Sequence, residues 1–354
     1  MAMSDMSADA HITTFSEEDS FAAYSLPGSS DFYVTCQDDF SYSTTQPSDG
    51  PYFVVAPFRR DREASRYIRA DRHMLNREFS LTISAPAHAQ STDQKKYLSD
   101  VEHIIADIEN QRYRKLVYSR SITTERNGLS IYEIYKTLVG RYTNAFVFCY
   151  HTPEGGCWVG ATPELLIEDA GETYRSIALA GTQIDLGVSL DQVLWEPKEV
   201  EEHQYLKEYI EQHLRQESIV FTEGQTETVK AGNVVHISTE FSIEKDQSIT
   251  HMANLLHPGP AICGTPENIA KQYIQRYEEH DRGDYCGYIG VVGIDDCNAI
   301  YINLRSMQIY EGRMELYVGG GITKDSIPQS EWEETQNKSL TMLNVIQNSY
   351  NQQA

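Results

Sequence analysis

The chain has 354 residues, 29 basic and 52 acidic side chains, a formal charge of −23 and 40% hydrophobic residues. That charge excludes sequence-independent nucleic-acid binding, which needs basic surface to neutralise phosphates, and no run of about 18 apolar residues is present to span a membrane as a helix. Six scattered cysteines (Cys36, Cys149, Cys157, Cys263, Cys286 and Cys297) form no C-x-x-C pair, and the N-terminus lacks the basic start and apolar stretch of a secretory leader. The expectation is a cytoplasmic protein with reduced thiols, an enzyme and not a polyanion binder.

Residues 1–92 are rich in Ser, Asp, Thr and Tyr, with a turn cluster at Gln46-Pro47-Ser48-Asp49-Gly50-Pro51 and strand-like runs at Asp31–Cys36 and Tyr52–Phe58. They read as a divergent N-terminal part supplying accessory strands to one fold, with the main region at 93–354. Val101, Ile104, Ile105 and Ile108 mark an amphipathic helix. It leads into a strand at Lys115–Arg120, with further strands expected at Ala145–Tyr150 and Cys157–Gly160 across a turn at Thr152–Gly156. Pro197 opens a helix with the apolar seam Leu206, Ile210 and Leu214. Ala299–Tyr310 and Arg313–Gly319 read as strands of a hairpin turning at Glu311-Gly312. A last helix is expected from Pro328 to about Asn348, with Ser326 as a possible cap and Leu340, Leu343 and Ile346 facing inward. Strands and helices mix without regular βαβ alternation, which predicts an α+β fold with substantial antiparallel sheet.

Gly319-Gly320-Gly321 follows a strand but has neither P-loop nor G-x-G-x-x-G spacing, so a tight turn with close backbone approach to a ligand is expected. Glu331, Glu334 and Lys338 share one helix face, which alone usually means a solvated face. Glu199, Glu202 and His203 lie on the helix after Pro197, and Glu202 sits at the margin of its apolar seam. Carboxylates converging from two helices would suit Mg²⁺, although spacing cannot show convergence. Glu164 lies between a turn and an apolar run, either as an ordinary strand-start acid or as a general acid whose pKa is raised by apolar neighbours. Lys115 begins an apolar strand, where an interior lysine is costly unless it works or is paired.

Taken in order, these motifs resemble the chorismate-utilising enzyme family: Lys115-Leu116-Val117-Tyr118-Ser119-Arg120, Gly160–Leu166, Leu179-Ala180-Gly181-Thr182, Glu202-His203, and His236-Ile237-Ser238-Thr239. The resemblance continues through His257-Pro258-x-Pro260-Ala261-x-x-Gly264-x-Pro266, Arg282-Gly283-Asp284-Tyr285-Cys286-Gly287 and Ile302-Asn303-Leu304-Arg305. It closes with Gly319-Gly320-Gly321-Ile322 and Ser326-x-Pro328-x-x-Glu331-Trp332-x-Glu334-Thr335-x-x-Lys338. The motifs cover about residues 95–350.

The resemblance implies one large α+β domain of two facing, mostly antiparallel sheets flanked by helices, with the active site in the cleft between them. It implies Mg²⁺ held by Glu202 and Glu334, with Glu199 and Glu331 in support. It implies chorismate as substrate, with Arg305 and Tyr285 on its enolpyruvyl carboxylate and Lys338 and Gly319–Gly321 around its carboxylates. Ala180, Gly181, Thr182 and His236 match substrate-pocket positions.

Ammonia-using members carry Gln at the position of Lys115, and those using a lysine nucleophile carry it at the position of Ala180. The resemblance therefore points to the water-adding branch and to isochorismate synthase, an isomerase serving menaquinone or siderophore biosynthesis. There Lys115 would be the base that activates water for attack at C2, and Glu164 the acid that protonates the departing C4 hydroxyl. The alternatives are a salicylate synthase, which adds pyruvate elimination, and a non-catalytic chorismate-binding relative. A monomer or weak homo-oligomer with no nucleic-acid or membrane partner is expected.

Overall fold

Strand Phe146–Thr152 alternates two buried faces: Phe146, Phe148 and Tyr150 enter one hydrophobic core, Val147 and Cys149 another. A strand buried on both sides reads as a continuous apolar run, and it lies in the middle of a layered molecule. The computed structural model describes residues 12–85, 91–185, 187–231 and 234–353.

Two large sheets dominate, and every pairing within them is antiparallel. The first runs in the order Gly264–Thr265, Lys115–Glu125, Arg313–Ile322, Ser306–Ile309, Gly156–Thr162, Phe146–Thr152, Phe21–Ser25, Tyr33–Cys36 and Arg72–Leu75. The second runs Phe221–Glu223, Val234–Ile243, Tyr174–Ile184, Leu165–Asp169, Cys297–Ile302, Tyr288–Ile294, Tyr52–Ala56 and Arg66–Arg69, with Glu227–Ala231 also on Val234–Ile243. Five strands before residue 92 thus complete one flank of each sheet, while Thr13–Phe15 and Phe79–Leu81 pair with each other in a small parallel sheet.

The larger core lies between the sheets, where Phe53, Phe146, Tyr150, Ile289 and Ile300 meet. Phe146 and Tyr301 stack across the gap with centroids 4.5 Å apart. The second core lies between the first sheet and helices. In chain order the helices are α1 (Gln94–Glu109), α2 (Ile131–Arg141), α3 (Pro197–Gln216), α4 (Ile249–Leu256), α5 (Glu267–Tyr277) and α6 (Pro328–Gln353). Ile134 and Leu138 of α2 and Met342, Val345 and Ile346 of α6 fill it. Leu206, Ile210 and Leu214 of α3 and Met252 of α4 are buried in the larger core. All six cysteines are free thiols. Among the described residues no helix is long and apolar enough to cross a membrane.

Four expectations change. Ala299–Tyr310 is two strands, Cys297–Ile302 in the second sheet and Ser306–Ile309 in the first. Arg305 breaks it with a left-handed φ of 50°, which lets the chain cross between layers. The glycine run is no turn but the end of strand Arg313–Ile322, paired with Lys115–Glu125. Leu340 is 47% exposed, because the α6 seam is built by Met342, Val345 and Ile346, with Leu343 partly buried. Ser326 does not cap α6: the Glu331 amide donates to the Ile327 carbonyl, and the Ser326 hydroxyl accepts from the Thr323 amide.

Candidate active site

Lys115 starts a strand whose partner register sets Val117 opposite Gly321 and Ser119 opposite Gly319. Its side chain runs along the glycine run: a methyl group on Gly321 would lie 2.7 Å from Lys115 Cε and 3.2 Å from Nζ. Only glycine leaves that path open. The ammonium reaches 3.9 Å from Glu202 Oε1 on α3. Lys115 is buried, and desolvation is the main force holding its pKa below that of a free lysine. Glu202 opposes that shift, while Lys338 and Lys198 reinforce it.

At Gly320 the neighbours are acids from α6. A methyl group there would lie 3.3 Å from Glu331 Oε2 and 3.6 Å from Glu334 Oε1. Burial raises the Glu331 pKa, and its Oε2 has no hydrogen-bond partner. Its Oε1 lies 3.4 Å from Lys198 Nζ. Burial pushes Glu334 upward too, but Lys338 at 2.5 Å outweighs it and holds the carboxyl below its ordinary value. Lys338 Nζ also donates to the Gly319 carbonyl at 2.9 Å. Three carboxylates and three ammonium groups therefore gather along three consecutive glycines.

A cavity of about 90 Å³ beside this run is lined by Gly319–Gly321, Lys338, Tyr285 and Arg305. Ala261 and Ile262 line both it and a second cavity of about 40 Å³ that contains Glu164. The Glu164 backbone is pinned between strands: its carbonyl accepts from the Ile302 amide and its amide donates to Thr162 Oγ1. Desolvation pushes its carboxyl pKa up to about 7, against the pull of Arg305 and Lys338. Tyr285 is buried and stacks on Tyr317 with centroids 5.4 Å apart.

Ala180, Gly181 and His236 lie one step away. Gly181 has φ +69° at a bulge in strand Tyr174–Ile184, and its carbonyl bonds His236 Nδ1 at 2.9 Å. A methyl on Gly181 would sit 3.0 Å from Glu199 Cβ, so this bulge packs against the start of α3. None of the three lines the two central cavities. The Thr182 side chain lies outside the described residues. Glu199 Oε2 accepts from the Glu196 amide at 2.8 Å and from Gln183 Nε2 at 3.3 Å, so it caps α3 and tethers it to the bulge.

Residues 55–347 match the model of the chorismate binding enzyme family. The chain belongs to that family. It is 30% identical over 271 residues to an isochorismate synthase of Bacillus subtilis, MenF, covering 73% of this chain and 57% of that protein. It is 27% identical over 281 residues to the vibriobactin-specific isochorismate synthase of Vibrio cholerae, covering 76% and 71%. The matched stretch thus spans little more than half of the first of these relatives. The solved structure of the menaquinone-specific isochorismate synthase of Escherichia coli shares the fold, with TM-score 0.75 over 94% of this chain and 89% of that one at 17% identity.

Two features of this chorismate-binding enzyme escape the sequence reading. Lys198 lies one turn before Glu202, a spacing that could have flagged it, and it faces Glu331 of α6. The other is a buried pair beneath the glycines. Arg282 donates to Glu278 at 2.6 and 2.8 Å, to the Val117 carbonyl at 2.8 Å and to the Ile262 carbonyl at 2.7 Å. Glu278 in turn accepts from the Ser119 amide at 2.7 Å. Arg282 thereby fixes two walls of the cavity, and Glu278 a third contact behind Gly319. His257, whose pKa burial lowers to about 3, stays neutral and donates from Nε2 to the Cys286 carbonyl at 2.8 Å.

Among the described residues no three His, Cys, Asp or Glu side chains already gather tightly enough to hold a metal ion. The donor set nevertheless suits a hard cation. Glu331 Oε2 is an orphaned buried oxygen, and the space above Gly320 that a methyl would fill is bounded by Glu331 and Glu334.

Proposed function

We propose that this enzyme isomerises chorismate to isochorismate, and that Mg²⁺ is held by Glu202 and Glu334 with Glu331 and Glu199 behind them. The observation that carries the reading is a pair of groups shifted toward neutrality, both within the field of Lys338: a buried lysine held low and a carboxyl raised to about 7. Such a pair supplies a base and an acid at the same pH.

Neutral Lys115 accepts a proton from water as that water's oxygen bonds to ring carbon 2. Both ring double bonds shift, from C1=C2 to C1=C6 and from C5=C6 to C4=C5, the bond from carbon 4 to its hydroxyl breaks, and protonated Glu164 delivers the proton that lets the hydroxyl leave as water. One water enters and one leaves, so the product is an isomer. Arg305 can grip the enolpyruvyl carboxylate through two parallel hydrogen bonds, with the Tyr285 hydroxyl beside it. Bound Mg²⁺ would neutralise the ring carboxylate and orient the ring. The ammonium groups of Lys338 and Lys198 offset the carboxylates they face, and Arg305 with bound Mg²⁺ would supply the positive charge that a dianionic substrate requires in a chain of net charge −23. Ala180 offers no atom that could attack the ring, which supports water as the nucleophile.

Chorismate and Mg²⁺ incubated with the protein should yield isochorismate by chromatography and mass, and excess EDTA should abolish turnover until Mg²⁺ is restored. Salicylate with pyruvate, or an amino product, would overturn the assignment. Full turnover in EDTA would remove the metal from it.

A further inference from the structure

Cross-strand register in the first sheet sets Trp158 opposite Gln308 and Gln308 opposite Glu315. This row floors a cavity of about 410 Å³, the second wall of which is the segment from Glu279 to Asp284. Tyr317 lines both this cavity and the one beside the glycine run, so the two sit back to back.

Its lining is strongly acidic. Glu63, Glu154, Glu279, Asp281 and Asp284 join Glu315, against a single guanidinium, Arg66, which is paired with Asp284. His280 adds no charge, because burial holds its pKa below the ordinary value. Glu315 is the unusual member. It is 2% exposed, and although the Ser121 and Tyr317 hydroxyls approach the carboxylate, its Oε1 has no partner. A buried carboxylate oxygen left unpaired costs free energy that a charged donor would recover. Desolvation raises the Glu63 pKa, and Asp281 and Asp284 add a smaller repulsion that a bound cation would relieve.

The acids are dispersed around the cavity and do not form a metal-binding cluster among the described residues. A single inorganic ion cannot serve carboxylates spread over such a volume. An organic cation can, with its ammonium at Glu315 and its carbon chain along Trp158 and Tyr317.

We propose that this cavity binds a small organic ammonium compound, its alkylammonium group donating to Glu315. The claim stands on the cavity alone and does not depend on the reaction assigned to the other site.

Isothermal titration calorimetry on the full chain at 0.15 M salt tests it with spermidine, putrescine, butylamine and the uncharged 1,4-butanediol. The amines should bind and the diol should not, and tighter binding of spermidine than of butylamine would show that the outer carboxylates take further ammonium groups. Glu315→Gln should weaken amine binding about tenfold to a hundredfold, the effect of losing one charged hydrogen-bond partner. Glu63→Gln, a change at an exposed residue of the same cavity, should weaken it several-fold and covers the case in which the Glu315 variant does not fold. Glu109→Gln, at the far end of α1, should leave it unchanged. Equal affinity in the Glu63 and Glu109 variants, equal affinity in a folded Glu315 variant, binding of the diol, or no binding of any amine would overturn the proposal.

Discussion

At the scale of single residues, the opposite jobs proposed for Lys115 and Glu164 rest on the same physical means. Each is withdrawn from water, and each is pushed toward its neutral form, the lysine downward and the carboxyl up to about 7. Lys115→Ala and Glu164→Gln should each lower kcat by about 10²–10⁴, the usual contribution of a positioned acid or base. The pH profile separates the roles. A base at Lys115 must be deprotonated, so activity should fall on the acid side; an acid at Glu164 must be protonated, so kcat should fall as pH rises through about 7. Glu164→Gln should abolish the alkaline limb and keep the acid limb, and a variant that retains the alkaline limb contradicts the assignment. Sequence made these two residues suspects on the cost of burying charge, but it could not supply Arg305 and Lys338 as the neighbours acting on Glu164, because those contacts come from separate parts of the chain.

At the scale of elements, the glycine strand is what brings α3, α6 and Lys115 together. Gly321→Ala places a methyl 2.7 Å from Lys115 Cε, so the amine must move. Misplacement by about 1 Å costs on the order of 10²-fold. The variant should therefore lose about that much kcat, with an unchanged circular dichroism spectrum and a KM changed less than kcat. Normal turnover in Gly321→Ala would mean that Lys115 does not act from this position. Helices α1, α3 and α6 were legible because their apolar spacing and punctuation are local, as where Pro197 opens α3, while α2, α4 and α5 were not read. The break at Arg305 was not legible, since Ala299–Tyr310 keeps an extended pattern through it. The positive φ at Arg305 is held by tertiary contacts, among them the Ala161 amide donating to its carbonyl. Leu340 misled for a related reason: hydrophobicity alone does not say which of two adjacent helical seams the sheet will cover.

At the scale of the molecule, an α+β fold with substantial antiparallel sheet could be read from the mixed, non-alternating elements, whereas the arrangement as two facing sheets was implied only by the resemblance to the family. The strand order could not be read, because each sheet mixes segments from before residue 92 with segments after residue 290, and such pairings carry no local signal. The Arg282–Glu278 pair ties the layers around the site. Arg282→Met strands a buried carboxylate and frees the Val117 and Ile262 carbonyls. It should cost about 3–5 kcal/mol in urea denaturation, with part restored when Glu278→Gln is added. Unchanged stability in the single variant would show that the pair carries no such role. The central claim is that water, activated at Lys115, is the group added to the ring. Chorismate turned over with Mg²⁺ in ¹⁸O-water should yield isochorismate carrying one ¹⁸O at carbon 2, with no amino product in excess ammonium. Isochorismate without ¹⁸O at carbon 2, or anthranilate or an aminodeoxy product in its place, would contradict it.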